Sequence, residues 1–194
     1  MNNAIESAET CRRCDLWKHA TQAVAGEGAG HAPIMLVGEQ PGDEEDRRGH
    51  PFVGPAGRLL DAAIAAAGLE RGDLFITNAV KHFKWEPRGK RRLHKKPAAG
   101  EIRACIIWLE EEIAKVRPRV IVALGGTALR ALTGGVVSIE ISRGQVLRHR
   151  LGSRIIATYH PAAIMRAPDE KSGELRGYLV DDLARARELA ALIQ

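Results

Sequence analysis

The chain alternates between short runs of apolar, mostly β-branched residues and segments in which apolar positions recur at helical spacing. This alternation predicts an α/β fold, a three-layer α/β/α sandwich in which helices cover both faces of a mostly parallel sheet. The predicted strands are residues 33–37, 74–77, 119–124 and 154–158, and the predicted helices are residues 58–67, 98–116, 175–193 and a short helix ending at residue 132. Residues 136–141 and 145–149 are predicted to pair as a hairpin.

The composition limits the class of protein. With 194 residues, 45% hydrophobic and 27% charged, the chain is typical of one globular domain, and we predict a single domain over residues 1–194. Residues 1–10 lack the apolar region of a secretory signal, and no apolar run approaches the roughly 20 residues of a membrane span. We therefore expect a cytoplasmic protein that does not bind membranes.

Positive charge is concentrated in one segment, residues 81–96. This segment has eight Lys or Arg and one acid, a net charge of +7, whereas the whole chain carries +5 and the remainder therefore −2. Lys90, Arg91 and Arg92 are its densest part and are predicted to bind DNA phosphates, because basic clusters attract polyanions. The histidine that follows, His94, can do chemistry, and the combination suggests an enzyme that acts on nucleic acid.

Of four residues of chemical interest, three lie where ligands bind to parallel sheets. Glu39, Asn78 and His160 follow predicted strands, and Phe52 lies in a loop rich in turn-forming residues. A carboxylate can orient water, a carboxamide can read a base edge, an imidazole can donate a hydrogen bond, and an aromatic ring can stack on a base. Each also has a structural alternative as a cap, turn residue or core filler. The acidic residues 43–46 are predicted to form a solvated face.

Three cysteines in a chain without an export signal argue against a disulfide framework. Cys11 and Cys14 form a Cys-x-x-Cys pair, Cys105 stands alone, and His82 is the best candidate for a fourth metal ligand. Free buried thiols are the alternative. These residues alone do not separate zinc, which is slightly favoured, from an iron–sulfur cluster. Either centre would hold residues 81–96 near both ends, because His82 and Cys105 flank most of that segment.

Five motifs resemble those of the uracil-DNA glycosylase superfamily, in particular its iron–sulfur branch and, within it, the UdgX type, whose members become covalently joined to uracil-containing DNA. The motifs are residues 38–42 (GEQPG), 51–57 (PFVGPAG), 77–81 (TNAVK), 90–94 (KRRLH) and 160–161 (HP). Gln40 stands where family 4 of the superfamily usually has alanine. The motif at residues 90–94 resembles the KRRIH signature of the UdgX type, with Leu93 as a conservative departure.

The resemblance implies roles for the residues at the sheet edge. Glu39 would be the catalytic acid that assists cleavage of the glycosidic bond, His160 would hydrogen-bond the departing base, and His94 would attack the sugar. The uracil pocket would be formed by Gln40, Phe52, Asn78 and His160.

The resemblance also changes the expected metal centre from zinc to a four-iron four-sulfur cluster held by Cys11, Cys14, His82 and Cys105. We expect uracil-containing DNA as the partner, with single-stranded DNA preferred, and a monomeric protein. The predicted function is excision of uracil followed by linkage of His94 to C1′, in a single turnover. Two alternatives stay open: an ordinary hydrolytic iron–sulfur glycosylase, and a non-catalytic, metal-stapled nucleic-acid-binding module.

Overall fold

A computed structural model describes residues 7–135 and 138–193. Within these ranges six strands form a central sheet, and β4 and β5 form a separate hairpin. The strands are β1 (Glu27–Gly28), β2 (Ile34–Gly38), β3 (Phe75–Asn78), β4 (Trp85–Arg88), β5 (Arg91–His94), β6 (Val120–Leu124), β7 (Val146–Arg148) and β8 (Arg154–Thr158). The α-helices are α1 (Asp43–Arg48), α2 (Pro55–Ala66), α3 (Ala99–Val116), α4 (Gly126–Thr133), α5 (Ile139–Ser142), α6 (Pro161–Arg166) and α7 (Asp169–Leu192), and 3₁₀ turns span Asp15–Lys18 and Arg71–Asp73.

The order of the strands places a ligand-binding crevice at the end of β2. The sheet order is β1-β3-β2-β6-β8-β7, and β3, β2, β6 and β8 run parallel, with antiparallel strands at both edges. The chain passes from β2 to β3 on one side and later to β6 on the other. Such a reversal opens a crevice at the carboxyl ends of the strands, and Glu39 follows β2 at this point.

The sheet is covered on both faces, as the sequence predicts. All five residues of β2 are buried, which is typical of a parallel strand between two layers. Ile34 and Leu36 belong to the apolar cluster shared with α2 and α7, whereas Met35 and Val37 belong to the cluster shared with α3 and α4. The three-layer α/β/α architecture is therefore confirmed. None of the described helices is long and apolar enough to cross a membrane.

Two local predictions are wrong. In place of the predicted hairpin, Ile139–Ser142 forms the helical turn α5, and β7 pairs with β8. The side chain of Ser138 caps this turn by accepting the N–H of Ile141 at 3.3 Å, while residues 136 and 137 of the predicted hairpin lie outside the described residues. Residues 43–46 are not a solvated face either, because they open α1 and Asp46 is fully buried.

Candidate active site

A cavity of about 570 Å³ opens at the carboxyl ends of the parallel strands. Six of the side chains predicted to act on the base or the sugar line it: Glu39, Gln40, Phe52, Asn78, His94 and His160. The fold thus brings together residues that are far apart in the sequence, as expected for a parallel sheet. Their individual roles stay predictions.

Glu39 lies at the centre of a hydrogen-bonded group. Its Oε1 is 3.2 Å from Nε2 of His94, and its Oε2 accepts a hydrogen bond from the hydroxyl of Thr127. Burial raises the pKa of Glu39, but the hydrogen bonds from His94 and Thr127 outweigh it, so that the net pKa is lower than usual. The carboxyl is therefore ionised at neutral pH. The sequence prediction omits Thr127, although its place just after β6, at the same sheet edge, could have indicated it.

His160 is a neutral hydrogen-bond donor. Its Nδ1 accepts the N–H of Ala162 at 3.1 Å, which leaves the ring proton on Nε2. Burial lowers the pKa of His160 to about 4, so that the ring is uncharged at neutral pH. Gly125, at the end of β6, has a φ of +89°, and a Cβ there would lie 3.0 Å from the Cβ of His160. Glycine therefore allows this turn to pass closely beside the histidine.

Phe52 and Asn78 share the space that Gly38 leaves open. A Cβ on Gly38 would lie 2.3 Å from Asn78 Oδ1 and 2.5 Å from Phe52 Cζ, closer than atoms approach in folded proteins. Phe52 has a φ of 54°, a left-handed conformation that is uncommon for residues other than glycine. The buried Oδ1 of Asn78 has no hydrogen-bond partner among the described residues. It is thus an acceptor available to a ligand.

The side chain of Gln40 holds the β4–β5 hairpin, which carries His94. Its Nε2 donates to the carbonyl oxygens of Lys84 and Lys95 at 3.2 and 3.0 Å, and its Oε1 accepts the N–H of Lys84 at 3.1 Å. The carboxamide is therefore bound to the main chain at both ends of the hairpin. Contact between Gln40 and uracil stays a prediction.

The three residues predicted to bind DNA differ in their surroundings. Lys90 and Arg91 are exposed at the turn of the hairpin. The side chain of Arg92 is only 13% exposed, and its guanidinium forms ion pairs with Asp43 and the buried Asp46 of α1. Arg92 therefore attaches the hairpin to α1, and its charge is already compensated within the protein.

Glu45 joins the two loops that carry Glu39 and Phe52. It is buried, and its carboxylate accepts the N–H of Gly42 at 3.0 Å and the N–H of Gly54 at 2.6 Å. Because the two N–H groups belong to different loops, this one side chain fixes their spacing. The sequence prediction misses Glu45, since nothing distinguishes it from its acidic neighbours.

The three candidate cysteine ligands lie apart from the cavity, in a third apolar cluster, whereas His82 is buried but is not a member of that cluster. Cys11 and Cys105 are buried in this cluster together with Val80 and Trp108, and Cys14 packs against it. The indole N–H of Trp108 donates to Cys11 Sγ at 3.1 Å. Sulfur atoms that accept N–H groups are a feature of iron–sulfur ligands.

The protonation states of Cys105 and His82 affect their ability to bind a metal, because a metal binds thiolate and neutral imidazole. Burial raises the pKa of Cys105 to about 11, partly offset by the main-chain N–H of Lys81, which lies 3.2 Å from the sulfur. Burial and the charge of Arg12 lower the pKa of His82, which keeps a neutral imidazole available as a ligand. Among the described residues, no three His, Cys, Asp or Glu side chains converge as a single metal ion requires. Iron–sulfur clusters accept thiolates and, in some centres, imidazoles, so the donor types of this set fit such a cluster.

Comparison with known proteins decides the family. The model of the family described as the uracil DNA glycosylase superfamily matches residues 25–184. This chain belongs to the uracil DNA glycosylase superfamily. The assignment expected from the motifs is therefore confirmed at the level of the superfamily.

Relatives within the superfamily cover nearly the whole chain. A Type-4 uracil-DNA glycosylase from Pyrobaculum aerophilum is 39% identical over 188 residues, which cover 92% of this chain and 89% of that protein. A protein of the same name from Thermotoga maritima is 38% identical, with coverages of 96% and 93%. The structure of SMUG2 from Pedobacter heparinus matches with a TM-score of 0.56 at 14% identity, over 82% of this chain and 76% of that chain, and supports the fold. The narrower UdgX-type assignment stays a prediction.

Proposed function

We propose that this protein excises uracil from DNA and that His94 then captures C1′ of the sugar in a covalent bond. The observation that carries the proposal is the 3.2 Å contact between His94 Nε2 and Glu39 Oε1, at a cavity that Phe52, Asn78 and His160 also line. The proposed nucleophile, the carboxylate and the proposed base-contacting groups thus line one cavity. The superfamily and the names of the Type-4 relatives support uracil as the excised base.

Recognition would begin when the target nucleotide leaves the base stack, because the cavity cannot otherwise reach its glycosidic bond. Phe52 would stack on the flipped base, and the unpaired Oδ1 of Asn78 would accept the N3–H of uracil. The Nε2–H of neutral His160 would donate to a uracil carbonyl oxygen. When the C1′–N1 bond breaks, its electron pair leaves with uracil, and this donor stabilises the resulting anion.

Cleavage leaves positive charge on the sugar, which the ionised Glu39 would stabilise. In its neutral form, the imidazole of His94 has one nitrogen with a free lone pair, and this pair would form the new bond to C1′. The positive charge then passes to the ring beside Glu39. Because no water restores His94, each molecule acts once.

The names of the Type-4 relatives favour a second candidate, an ordinary hydrolytic glycosylase. In that case a water molecule oriented by Glu39 would capture C1′, and the enzyme would turn over repeatedly. The two candidates share uracil recognition and bond cleavage. They differ only in whether water or His94 captures the sugar.

We assign Cys11, Cys14, His82 and Cys105 to a four-iron four-sulfur cluster, with zinc as the alternative. The buried sulfurs with N–H donors and the neutral imidazole support this assignment. Such a cluster would supply a structural cross-link between the N-terminal segment, the end of β3 and α3. Iron, sulfide and zinc content per chain would separate the two metals.

Exposed cations beside the cavity would bind the DNA backbone. Lys90 and Arg91 are exposed on the hairpin, and the exposed Lys96 lines the cavity. Replacing Lys90 and Arg91 with glutamine should reduce the slope of log affinity against log salt by about 2, because each phosphate contact contributes about 1. A preference for single-stranded DNA, a monomeric state and a cytoplasmic location belong to the same proposal.

The test is incubation with single-stranded DNA that contains one uracil, followed by denaturing electrophoresis. A shifted band that survives heat and detergent is expected, and His94→Ser should abolish it. His31→Ser, a change at an exposed histidine away from the cavity, is the matched control and should form the band like the wild type.

The other outcomes separate the alternatives. Abasic DNA produced over many turnovers without a shifted band would overturn capture by His94 and support hydrolysis. DNA binding without any release of uracil would overturn both and leave the non-catalytic binding module.

A further inference from the structure

Lys81 is a buried cation with no part in the reaction described above. Its exposed fraction is 0%, and lysine is almost never fully buried unless it is paired. Its ammonium donates three hydrogen bonds: to Thr77 Oγ1 at 2.7 Å, to the carbonyl oxygen of Asn78 at 2.8 Å and to Glu112 Oε2 at 2.7 Å. All three N–H groups are therefore used inside the protein.

Glu112, on α3, connects this cation to other parts of the fold. Its Oε2 also accepts the hydroxyl of Thr77 at 2.7 Å, and its Oε1 accepts the N–H of Gly26 at 2.9 Å, just before β1. The side chains of Lys81 and Glu112 are 1% and 16% exposed. The pair thus joins the end of β3 to α3 and to the segment before β1.

This network acts on the main chain of Asn78. Lys81 holds the carbonyl oxygen of Asn78, while the side-chain Oδ1 of the same residue lies buried at the cavity without a partner among the described residues. Because no side-chain hydrogen bond holds Oδ1 among the described residues, the position of this oxygen depends strongly on the main chain of Asn78. That main chain is held by its pairing with Gly38 of β2 and by Lys81.

We propose that Lys81 and Glu112 are a positioning pair that sets the placement of Asn78 and thereby the rate of base excision, an inference that rests on the proposed function. Stability alone does not account for the pair, because well-packed apolar residues of similar volume are often as stable as a buried ion pair. Placement does account for it. A displacement of about 1 Å near a reacting group can slow a reaction by about 100-fold.

The experiment compares Lys81→Met, Glu112→Met and the double variant with the wild type. Each single variant leaves a buried group without its partner and should unfold at lower urea concentration. The double variant removes both charges, and its urea midpoint of unfolding should return most of the way to that of the wild type. With enzyme in excess, at a concentration that binds all of the DNA, it should still excise uracil about 100-fold more slowly. Its affinity for DNA should be unchanged, because the exposed cations are intact.

A second cycle tests whether the pair acts through Asn78. In an Asn78→Ala background, adding the double change at Lys81 and Glu112 should slow excision little further, because coupled residues are not additive. Iron content should also stay constant, since the contact with Cys105 uses only the main-chain N–H of Lys81.

Three results would overturn the inference: a double variant that excises at the wild-type rate, an equal slowing in the Asn78→Ala background, or a rate that falls in proportion to iron content. A wild-type protein that releases no uracil would instead overturn the proposed function, and this inference with it.

Discussion

The side chain of Gln40 holds the base of the β4–β5 hairpin, and its removal should loosen the hairpin that carries His94. Gln40 is 7% exposed and makes three hydrogen bonds with the main chain of Lys84 and Lys95. The substitution Gln40→Ala removes all three. The ends of the hairpin then keep the hydrogen bond from the N–H of Lys95 to the carbonyl of Lys84 at 2.9 Å, beside the pairing of β4 with β5.

The expected cost follows from these contacts. Each hydrogen bond contributes about 1 kcal/mol net, so that three give about 3 kcal/mol. Lys84 is half-buried and Lys95 exposed, so water can reach part of the freed main chain and lower the loss to about 2 kcal/mol. A change of about 2 kcal/mol raises the opening constant of the hairpin roughly 30-fold.

The assay is hydrogen exchange of the amide of Lys95, with urea unfolding measured in parallel. Exchange at this amide should become roughly 30-fold faster, and the yield of His94 adduct should fall more than the release of uracil. Gln145→Ala is the matched control, because the amide of Gln145 donates to the carbonyl of Ile141 in α5 and not to the hairpin or to α1. Unchanged exchange at Lys95 in Gln40→Ala would refute the assignment of Gln40 as the anchor of the hairpin.

Three further predictions concern the cavity and its surroundings. Gly38→Ala should abolish uracil release while DNA binding persists, because the added Cβ overlaps Asn78 Oδ1; excision at the wild-type rate would contradict this. Arg92→Met should lower the free energy of unfolding by about 3 kcal/mol in urea titrations, because Asp46 becomes a buried carboxylate without its cation. For His160, the pKa of about 4 in the folded state lies below the ordinary 6.5, so the unfolded chain binds the proton first. The neutral His160 ring therefore contributes fully to the free energy of unfolding above pH 6.5. This contribution is lost as the pH falls towards 4, by about 3 kcal/mol in all. The free energy of unfolding would be measured between pH 4 and 6.5 for the wild type and for His160→Gln. The same dependence on pH in both proteins would refute this prediction.

The core of the fold could be predicted from sequence because its signals are local. The strands β2, β6 and β8 are nearly continuous apolar runs, which are typical of parallel strands that helices cover on both faces. The region after α4 shows where local signals fail. Alternating Ile139 and Ile141 resemble a strand, but the side chain of Ser138 caps a helical turn that buries Ile139 in the core. Packing against the rest of the protein therefore decided the local conformation.

The candidate site shows the same division. Glu39, Asn78 and His160 could be found because they follow strands whose carboxyl ends must meet. Thr127 also follows a strand at this edge, but only its hydrogen bond to Glu39 shows that it belongs to the site. Glu45 could not be selected from sequence, since it stands among other acidic residues and only its contacts distinguish it.

The segment of residues 81–96, with its net charge of +7, shows most clearly what can and cannot be predicted from the sequence. Its composition alone predicts that it attracts polyanions, because charge acts at long range and needs no exact geometry. Only the tertiary structure decided which charges are free. Arg91 is exposed, whereas Arg92 is paired with carboxylates of α1, far from it in sequence. Likewise, only the packing of the hairpin on the β2–α1 loop brings His94 within 3.2 Å of Glu39, because hydrogen bonds act over short distances that the chain must first fold to create.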